Sequence, residues 1–343
     1  MQKMVVIQTA FIGDVVLATA LIESLHQQFP VASIDIVVRK GNETLFANHP
    51  FIEEVIVWDK KNNKYFNWLQ VLKKLRSKKY DLLINVQRFA ATGLWTVLAK
   101  AKITIGFDKN PFSFLFSHTV KHLLTSESMH EINRNHALLE SLGVVPASKP
   151  KLYPAPIDFE KVKSLQDEKY ITIAPASVWF TKQFPVSAWV SFINELPFKG
   201  PIYIVGGSGD KLIGEEIIKQ HVAAAKSAGV VAKNLMNIAG QLNFLASAAL
   251  QQKAVLNYVN DSAPLHFCSA VDAPVVAIYC STIPAFGFGP LSSSSFVVET
   301  SQTLTCRPCG LHGKKDCPLG HFNCAHSIQN AQLIAPLLQV TQH

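Results

Sequence analysis

Met4-Val5-Val6-Ile7-Gln8-Thr9-Ala10-Phe11-Ile12-Gly13-Asp14 lies at the start of the chain, and its reading decides the fold. A short apolar run ends near Gln8. From Gly13-Asp14 onward, apolar residues fall at Val16, Leu17, Ala20, Leu21 and Leu25, the spacing of a helix running to about Gln28. A strand, a tight turn and a helix form the first half of a parallel β-α-β unit. The alternation continues outward. Residues 32–39, 54–58, 81–86 and 103–107 read as strands, and 41–48, 65–78, 90–100 and 132–142 as helices, the last closed by Gly143. Strands that are short and apolar throughout belong to sheets covered on both faces.

Residues 144–169 break the rhythm with Pro146, Pro150, Pro154 and Pro156, so they read as an interdomain linker. The alternation then restarts. Strands are expected at 170–174, 202–205, 254–258 and 274–279, with helices at 186–196, 210–225, 242–251 and from 263, and a helical tail to 340. The expectation is an α/β protein of two Rossmann-like doubly wound domains, 1–155 and 156–326. Residues 327–343 form a C-terminal helix that is a candidate to pack back on the first domain. In such sheets ligands bind beyond the carboxyl ends of the strands, so a cleft between the domains is the expected site.

The composition agrees. Of 343 residues, 48% are hydrophobic and 16% charged, enough apolar material for two cores. The net charge of +8 favours anionic partners. The densest basic patch, from Lys60 to Lys79, alternates with Phe66, Trp68, Leu69, Val71, Leu72 and Leu75, which predicts an amphipathic helix with a basic outer face. A solvated face is the first reading of that helix and a membrane surface the second. No aromatic-interleaved basic strand suggests nucleic-acid binding. No secretory signal precedes the first strand, and no uncharged run reaches the ~20 residues of a membrane span. The expected location is the cytoplasm, with contact at the inner-membrane face as an option. There the six cysteines should be reduced or metal-bound.

Five constellations carry candidate chemistry. Asp14 opens a helix at the sheet's carboxyl edge, either as an N-cap or as a general base. Residues 174–185 leave the first strand of the second half and contain Thr181 and Lys182. The lysine is either solvated or placed to neutralise a phosphate. Gly206-Gly207 follow a strand and fit either a plain turn or close approach to a ligand. Asn260-Asp261-Ser262-Ala263-Pro264-Leu265-His266 joins a strand to a helix. Amides there suit a diphosphate and Asp261 suits sugar hydroxyls, whereas capping and a packed His266 are the plainer roles. Finally, Cys306, Cys309, Cys317 and Cys324 have spacing that can hold zinc. Reduced, loop-packing thiols are the favoured reading and structural zinc the alternative.

Taken in order along the chain, these pieces resemble glycosyltransferase family 9, the heptosyltransferases of lipopolysaccharide core assembly. The match runs through Ile12-Gly13-Asp14, residues 81–87, Ile105-Gly106-Phe107-Asp108 and residues 130–143. It then takes in Pro175 to Pro185, Gly206-Gly207, Ile238-Ala239-Gly240 and Asn260 to His266. The resemblance implies a GT-B fold and an inverting, metal-independent transfer that requires no cofactor; no Asp-x-Asp motif occurs in the chain. It implies an ADP-sugar donor, ADP-heptose in the family, and an anionic glycolipid acceptor. Asp14 would be the base, with Phe11, Gly13 and Arg88 on the acceptor side. Lys182, Thr181, Gly206, Gly207, Asp261, Ser262, Ala263 and His266 would be on the donor side. Two departures stand out: Ala263 replaces the family's usual glycine, and Ala10-Phe11 replace small hydroxyl residues. A related enzyme using another nucleotide-sugar, a sugar-nucleotide epimerase and a non-catalytic polyanion-binding protein are the alternatives.

Overall fold

A computed structural model describes residues 1–123, 129–144 and 146–342. The chain forms two compact units, Met1–Tyr153 and Pro154–His343. The boundary falls within the proline-rich segment read as a linker. Val145 of that segment and His343 of the tail lie outside the described residues.

The first unit holds strands β1 (Lys3–Ile7), β2 (Ser33–Arg39), β3 (Ile52–Trp58), β4 (Leu82–Asn85), β5 (Ile103–Phe107) and β6 (His118–Val120). Its helices are α1 (Ile12–Gln28), α2 (Lys64–Lys78), α3 (Ala90–Leu98) and α4 (Glu131–His136). The sheet is parallel throughout, in the order β3-β2-β1-β4-β5-β6.

The second unit holds strands β7 (Ile171–Ala174), β8 (Ile202–Ile204), β9 (Leu235–Asn237), β10 (Leu256–Asn260), β11 (Val275–Tyr279) and β12 (Ser295–Glu299). Its helices are α5 (Pro156–Val162), α6 (Val186–Glu195), α7 (Lys211–Ser227), α8 (Phe244–Lys253), α9 (Ala263–Ala270), α10 (Asn323–His326) and α11 (Asn330–Thr341). Its order, β12-β11-β10-β7-β8-β9, repeats that of the first unit: the first strand is central, the next two lie on one side and the last three on the other. Strand order therefore reverses between β1 and β4, and again between β7 and β10. The loops leaving those strands are where such sheets receive ligands.

The central strands β4, β7 and β10 are buried at every residue. They are mostly apolar as a result, and the polar residues within them, Asn85, Thr172, Asn257 and Asn260, are hydrogen-bonded internally. The edge strands β6, β9 and β12 were not apparent in the sequence. Each has at most one buried residue and is short; even in β12 the apolar run is only Phe296-Val297-Val298. Two of the expected helices tighten into 3₁₀ turns, at Glu43–Phe46 and Ala137–Leu142.

Helix α1 is buried from Val15 to Leu25, including Thr19, Glu23 and Ser24. Its polar side chains are satisfied by the segment leading to the unit boundary. Thr19 Oγ1 accepts from Lys151 N at 2.8 Å, Ser24 Oγ from Ser148 N at 3.0 Å, and Glu23 from the Tyr153 hydroxyl at 2.8 Å. Buried polar groups must be paired in this way to avoid a desolvation cost. In the second unit, Trp189, Phe192, Ile204, Tyr258 and Val276 share a core with Leu333 and Leu337 of the tail helix. The Tyr258 hydroxyl donates to Leu333 O at 3.0 Å. The tail helix, considered for the first domain, is thus rooted in the second unit's own core. Among the described residues no helix is long and apolar enough to cross a membrane.

Candidate active site

In the first unit, the carboxyl edge of the sheet gathers the residues expected on the acceptor side. Asp14 lies in the first turn of α1, and Phe11 occupies the N-cap position with extended backbone and no side-chain cap bond. The capping role considered for Asp14 is therefore not the one it has. A carboxylate three residues in still gains from the helix dipole, at a half-buried position. Gly13, expected in the strand-to-helix turn, is already helical, the second residue of α1. Phe11 is exposed, and the Arg39 guanidinium sits 4.7 Å from its ring centre. Burial lowers the Arg39 pKa, and the Asp14 charge pulls it back up. Arg39 ends β2, so this pairing of charges joins the end of β2 to the start of α1.

Lys60, just past β3, donates to Thr9 O at 2.9 Å and lies 4.6 Å from the Trp58 ring centre. Burial, followed by repulsion from Arg39 and Lys64, lowers its pKa. On the other side of β1, Gln8 Oε1 receives Gln87 Nε2 and the Ala10 amide, the latter at 3.2 Å. Asn110 Nδ2 holds Gln87 O and Phe89 O, each at 3.1 Å, and so fixes the loop that presents the exposed Arg88. Arg134 is buried and grips Glu131 through Nε and Nη2 at 2.9 and 2.6 Å. Burial raises the Glu131 pKa; Arg134 opposes this and the Asp14 charge adds to it. His122 is pushed down to about 4 by burial, then by Arg88, Arg134 and Lys109. His130 is the N-cap of α4, its Nδ1 accepting from Ile132 N at 3.2 Å. The edge is thus a carboxylate, Asp14, within electrostatic reach of Arg39 and the Glu131–Arg134 pair. Such a surface can hold an anion and accept a proton.

In the second unit, the loops after β7 and β10 meet. Lys182 Nζ lies 2.7 Å from Asp261 Oδ2, both side chains being largely buried. Thr282 Oγ1 donates to the same oxygen at 2.7 Å. Asn260 clamps the two loops: its Nδ2 donates to Pro175 O at 2.6 Å, and its Oδ1 accepts from Phe184 N at 3.2 Å. Ser262 caps α9 by backbone position, and Ala263 and Pro264 begin the helix. The α9 N-terminus therefore lies directly beside the Lys182–Asp261 pair in sequence. His266 is buried one turn further, facing the Phe288 ring at 6.3 Å.

Thr181 is almost fully buried and works structurally. Its Oγ1 accepts from Lys314 N at 2.8 Å and from Ser281 Oγ at 3.0 Å, and its amide donates to Lys314 O at 3.1 Å. These bonds bring the cysteine-rich segment against the Lys182 loop. Gly313 has φ +78°, and a Cβ there would lie 2.9 Å from Lys182 Cγ and 3.1 Å from Thr181 Oγ1. Gly206 and Gly207 form the turn after β8, where the Gly207 amide donates to Asp210 Oδ2 at 2.7 Å. Gly240 packs onto Ser208 Cα at a distance that leaves no room for a side chain.

Cys306, Cys309, Cys317 and Cys324 line one cavity of about 290 Å³, with Thr181 and Lys314 in its wall. Burial, with Cys317 next, pushes Cys324 up to about 11, so the thiol is protonated at neutral pH. Among the described residues no group of three or more His, Cys, Asp or Glu side chains is arranged to hold a metal ion.

Asp14, Gly13, Phe11 and Arg88 thus share one sheet edge, and Lys182, Asp261, Ser262 and Ala263 share the other unit's. Arg39, Lys60, Asn260, Thr282 and Gly313 were not anticipated. For the first two a signal existed, because each is the first or second polar residue after an apolar strand. Asn260 lies within a motif already singled out, but its clamp depends on a loop 76–85 residues away.

Comparison with known proteins agrees with this arrangement. The sequence profile of glycosyltransferase family 9 (heptosyltransferase) matches residues 68–319. Lipopolysaccharide heptosyltransferase 3 of Escherichia coli K12 is 26% identical over 288 residues, 80% of this chain and 81% of the relative. The solved ADP-heptose lipopolysaccharide heptosyltransferase II of E. coli superposes with a TM-score of 0.78 at 17% identity, over 100% of this chain and 99% of that one. The E. coli heptosyltransferase WaaC, solved with ADP-2-deoxy-2-fluoro heptose, gives 0.65 at 19% identity, over 87% and 93%. The two doubly wound units are those of a GT-B enzyme. The chain is a glycosyltransferase and belongs to family 9, the heptosyltransferase family.

Proposed function

We propose that this enzyme transfers heptose from ADP-heptose to an anionic, lipid-borne acceptor of the lipopolysaccharide inner core, with inversion at the anomeric carbon and without a catalytic metal. The first unit takes the acceptor and the second the nucleotide-sugar. The observation that carries the reading is the Lys182–Asp261–Thr282 cluster beside the α9 N-terminus, in a family 9 chain. A cation and helix amides together suit a diphosphate. The donors named for the structural neighbours support ADP-heptose as the substrate.

In this mechanism Asp14 accepts the proton of the acceptor hydroxyl as its oxygen attacks the anomeric carbon. The C–O bond to the diphosphate breaks and ADP leaves with the electron pair. Lys182, with the amides at Ser262 and Ala263, offsets the charge that develops on the leaving group. Asp261, which holds Lys182 in the free enzyme, hydrogen-bonds the sugar once the diphosphate takes over the lysine. Arg39, Arg88 and Lys60 supply positive charge for the acceptor. The setting is the cytoplasmic face of the inner membrane, where donor and lipid acceptor meet.

The test is thermal unfolding with ADP, GDP, UDP and CMP, followed by transfer from ADP-heptose. A nucleotide at ~100 times its Kd adds about 2.7 kcal/mol of stability. Stabilisation by ADP alone, and an inverted product formed in the presence of chelator, is the expected outcome. Stabilisation by a different nucleotide would refute the donor. Release of free nucleotide without acceptor would indicate an epimerase.

A further inference from the structure

Helix α2 presents an apolar surface to solvent. At 100° per residue, Tyr65, Phe66, Leu69, Lys73 and Arg76 fall within an arc of about 100°. Val71 and Leu75 lie on the opposite side, and with Leu72, at the border of the exposed arc, they are packed in the core. Tyr65, Phe66 and Leu69 are 80%, 61% and 56% exposed, so the helix is apolar on the face where a surface helix should be polar. Phe89, 63% exposed, extends the patch. It precedes α3, whose Ala91 carbonyl accepts from Trp68 Nε1 of α2 at 2.9 Å. Clustered exposed aromatic and aliphatic side chains of this kind mark a docking surface.

The charge around the patch says what docks there. Helix α2 carries Lys64, Lys73, Lys74, Arg76 and Lys78 and no acidic residue. Lys74 and Lys78 are engaged by Glu54 and Asp35. Lys64, Lys73 and Arg76, with Lys61 just before the helix, are exposed and make no ion pair among the described residues. The patch offers both cationic charge and apolar rings. A bilayer with anionic headgroups matches both at once, with the rings in the acyl boundary and the ammonium groups among the phosphates.

We infer that the solvent face of α2, through Tyr65, Phe66 and Leu69 flanked by Lys61, Lys64, Lys73 and Arg76, docks this enzyme on an anionic membrane surface. This gives a residue-level surface to the membrane setting of the proposed function, but it stands on exposure and charge alone.

Co-sedimentation with phosphatidylglycerol-containing vesicles tests it, using the full chain. The wild type is expected to partition to these vesicles and much less to pure phosphatidylcholine. The triple variant Tyr65→Ser/Phe66→Ser/Leu69→Ser should lose at least ~10-fold in partition, the scale set by removing three apolar anchors. Lys73→Glu/Arg76→Glu should lose about fivefold per residue at low salt and little at high salt. All these side chains are exposed, so melting temperature and stabilisation by ADP should be unchanged, as should transfer to a deacylated, water-soluble acceptor. Wild-type protein that stays in the supernatant, or a triple variant that binds as well as wild type, would overturn the inference. So would concentration-dependent dimers that the triple variant abolishes, because the occupant of the patch would then be a second copy. Vesicle binding by an enzyme that transfers no heptose would leave this surface standing and remove the donor assignment instead.

Discussion

Replacing Asn260 with alanine should loosen the donor side more than any exposed change can. The Asn260 side chain is fully buried and ties the β10 edge to the loop that carries Lys182. Its removal deletes two hydrogen bonds and strands a buried carbonyl at Pro175 and a buried amide at Phe184. An orphaned buried partner costs about 1–3 kcal/mol, so two predict a loss of about 2–6 kcal/mol. For a unit of this size each kcal/mol is worth roughly 2–4 °C in Tm, which gives a fall of about 4–24 °C in the transition of the second unit. Differential scanning calorimetry measures it directly. ADP titration of the folded variant should also show weaker binding, since the loop that positions Lys182 is no longer fixed. Asn260→Asp keeps the acceptor for Phe184 N but loses the donor to Pro175 O, and should fall at least as far because it buries a second carboxylate beside Asp261. An alanine variant that melts within about 1 °C of wild type would refute the clamp.

Three further outcomes follow from the same geometry. Gly313→Ala places a methyl against Lys182 Cγ at a left-handed φ of +78°, and should lower kcat/KM by ~10–100-fold through misplacement of the lysine, with only ~1–2 kcal/mol lost in stability. Lys182→Ala leaves Asp261 in a largely buried site without its cation; it should raise the ADP Kd and slow transfer at saturating donor, checked by titration calorimetry and steady-state kinetics. The first unit should lose stability as pH falls from about 6.5 to about 4. His49 and His122 are both buried with folded pKa values pushed down to about 4, so the unfolded chain takes up protons in that window while the folded chain does not. His49→Phe, which fits an aromatic cage of Phe46, Phe51 and Tyr153, should flatten that slope in melts recorded across the range.

The fold was legible where both faces of the sheet are covered. The runs at Met4–Ile7 and Ile171–Ala174 read directly as buried strands, β10 was placed two residues early because Asn257 and Asn260 interrupt it, and the helix after Gly13 announced itself by spacing. Of the rim strands, β3 was read, and β6, β9 and β12 were not. His118-Thr119-Val120 and Leu235-Met236-Asn237 pair on one side only and bury little, so their conformation is set by the neighbouring strand. The site was legible as loci, because strand-to-helix turns fall at the carboxyl edge by topology. Roles within the loci were less so. Thr181, expected on the donor side, also anchors the cysteine-rich segment, through contacts 100 and 133 residues away that no local pattern encodes. The basic helix formed where it was expected, but Phe66 and Leu69, counted among its apolar side, lie exposed with Tyr65 on the outer face, which only the packing of Val71 and Leu75 reveals.

Transfer of heptose by Asp14→Asn tests the central claim most directly. The substitution keeps the size of the side chain at the first turn of α1 and removes its charge together with its capacity to take a proton. With ADP binding and melting temperature intact, the account predicts a fall in kcat of ~10²–10⁴, the usual contribution of a general base. Near wild-type turnover by the folded variant would contradict it.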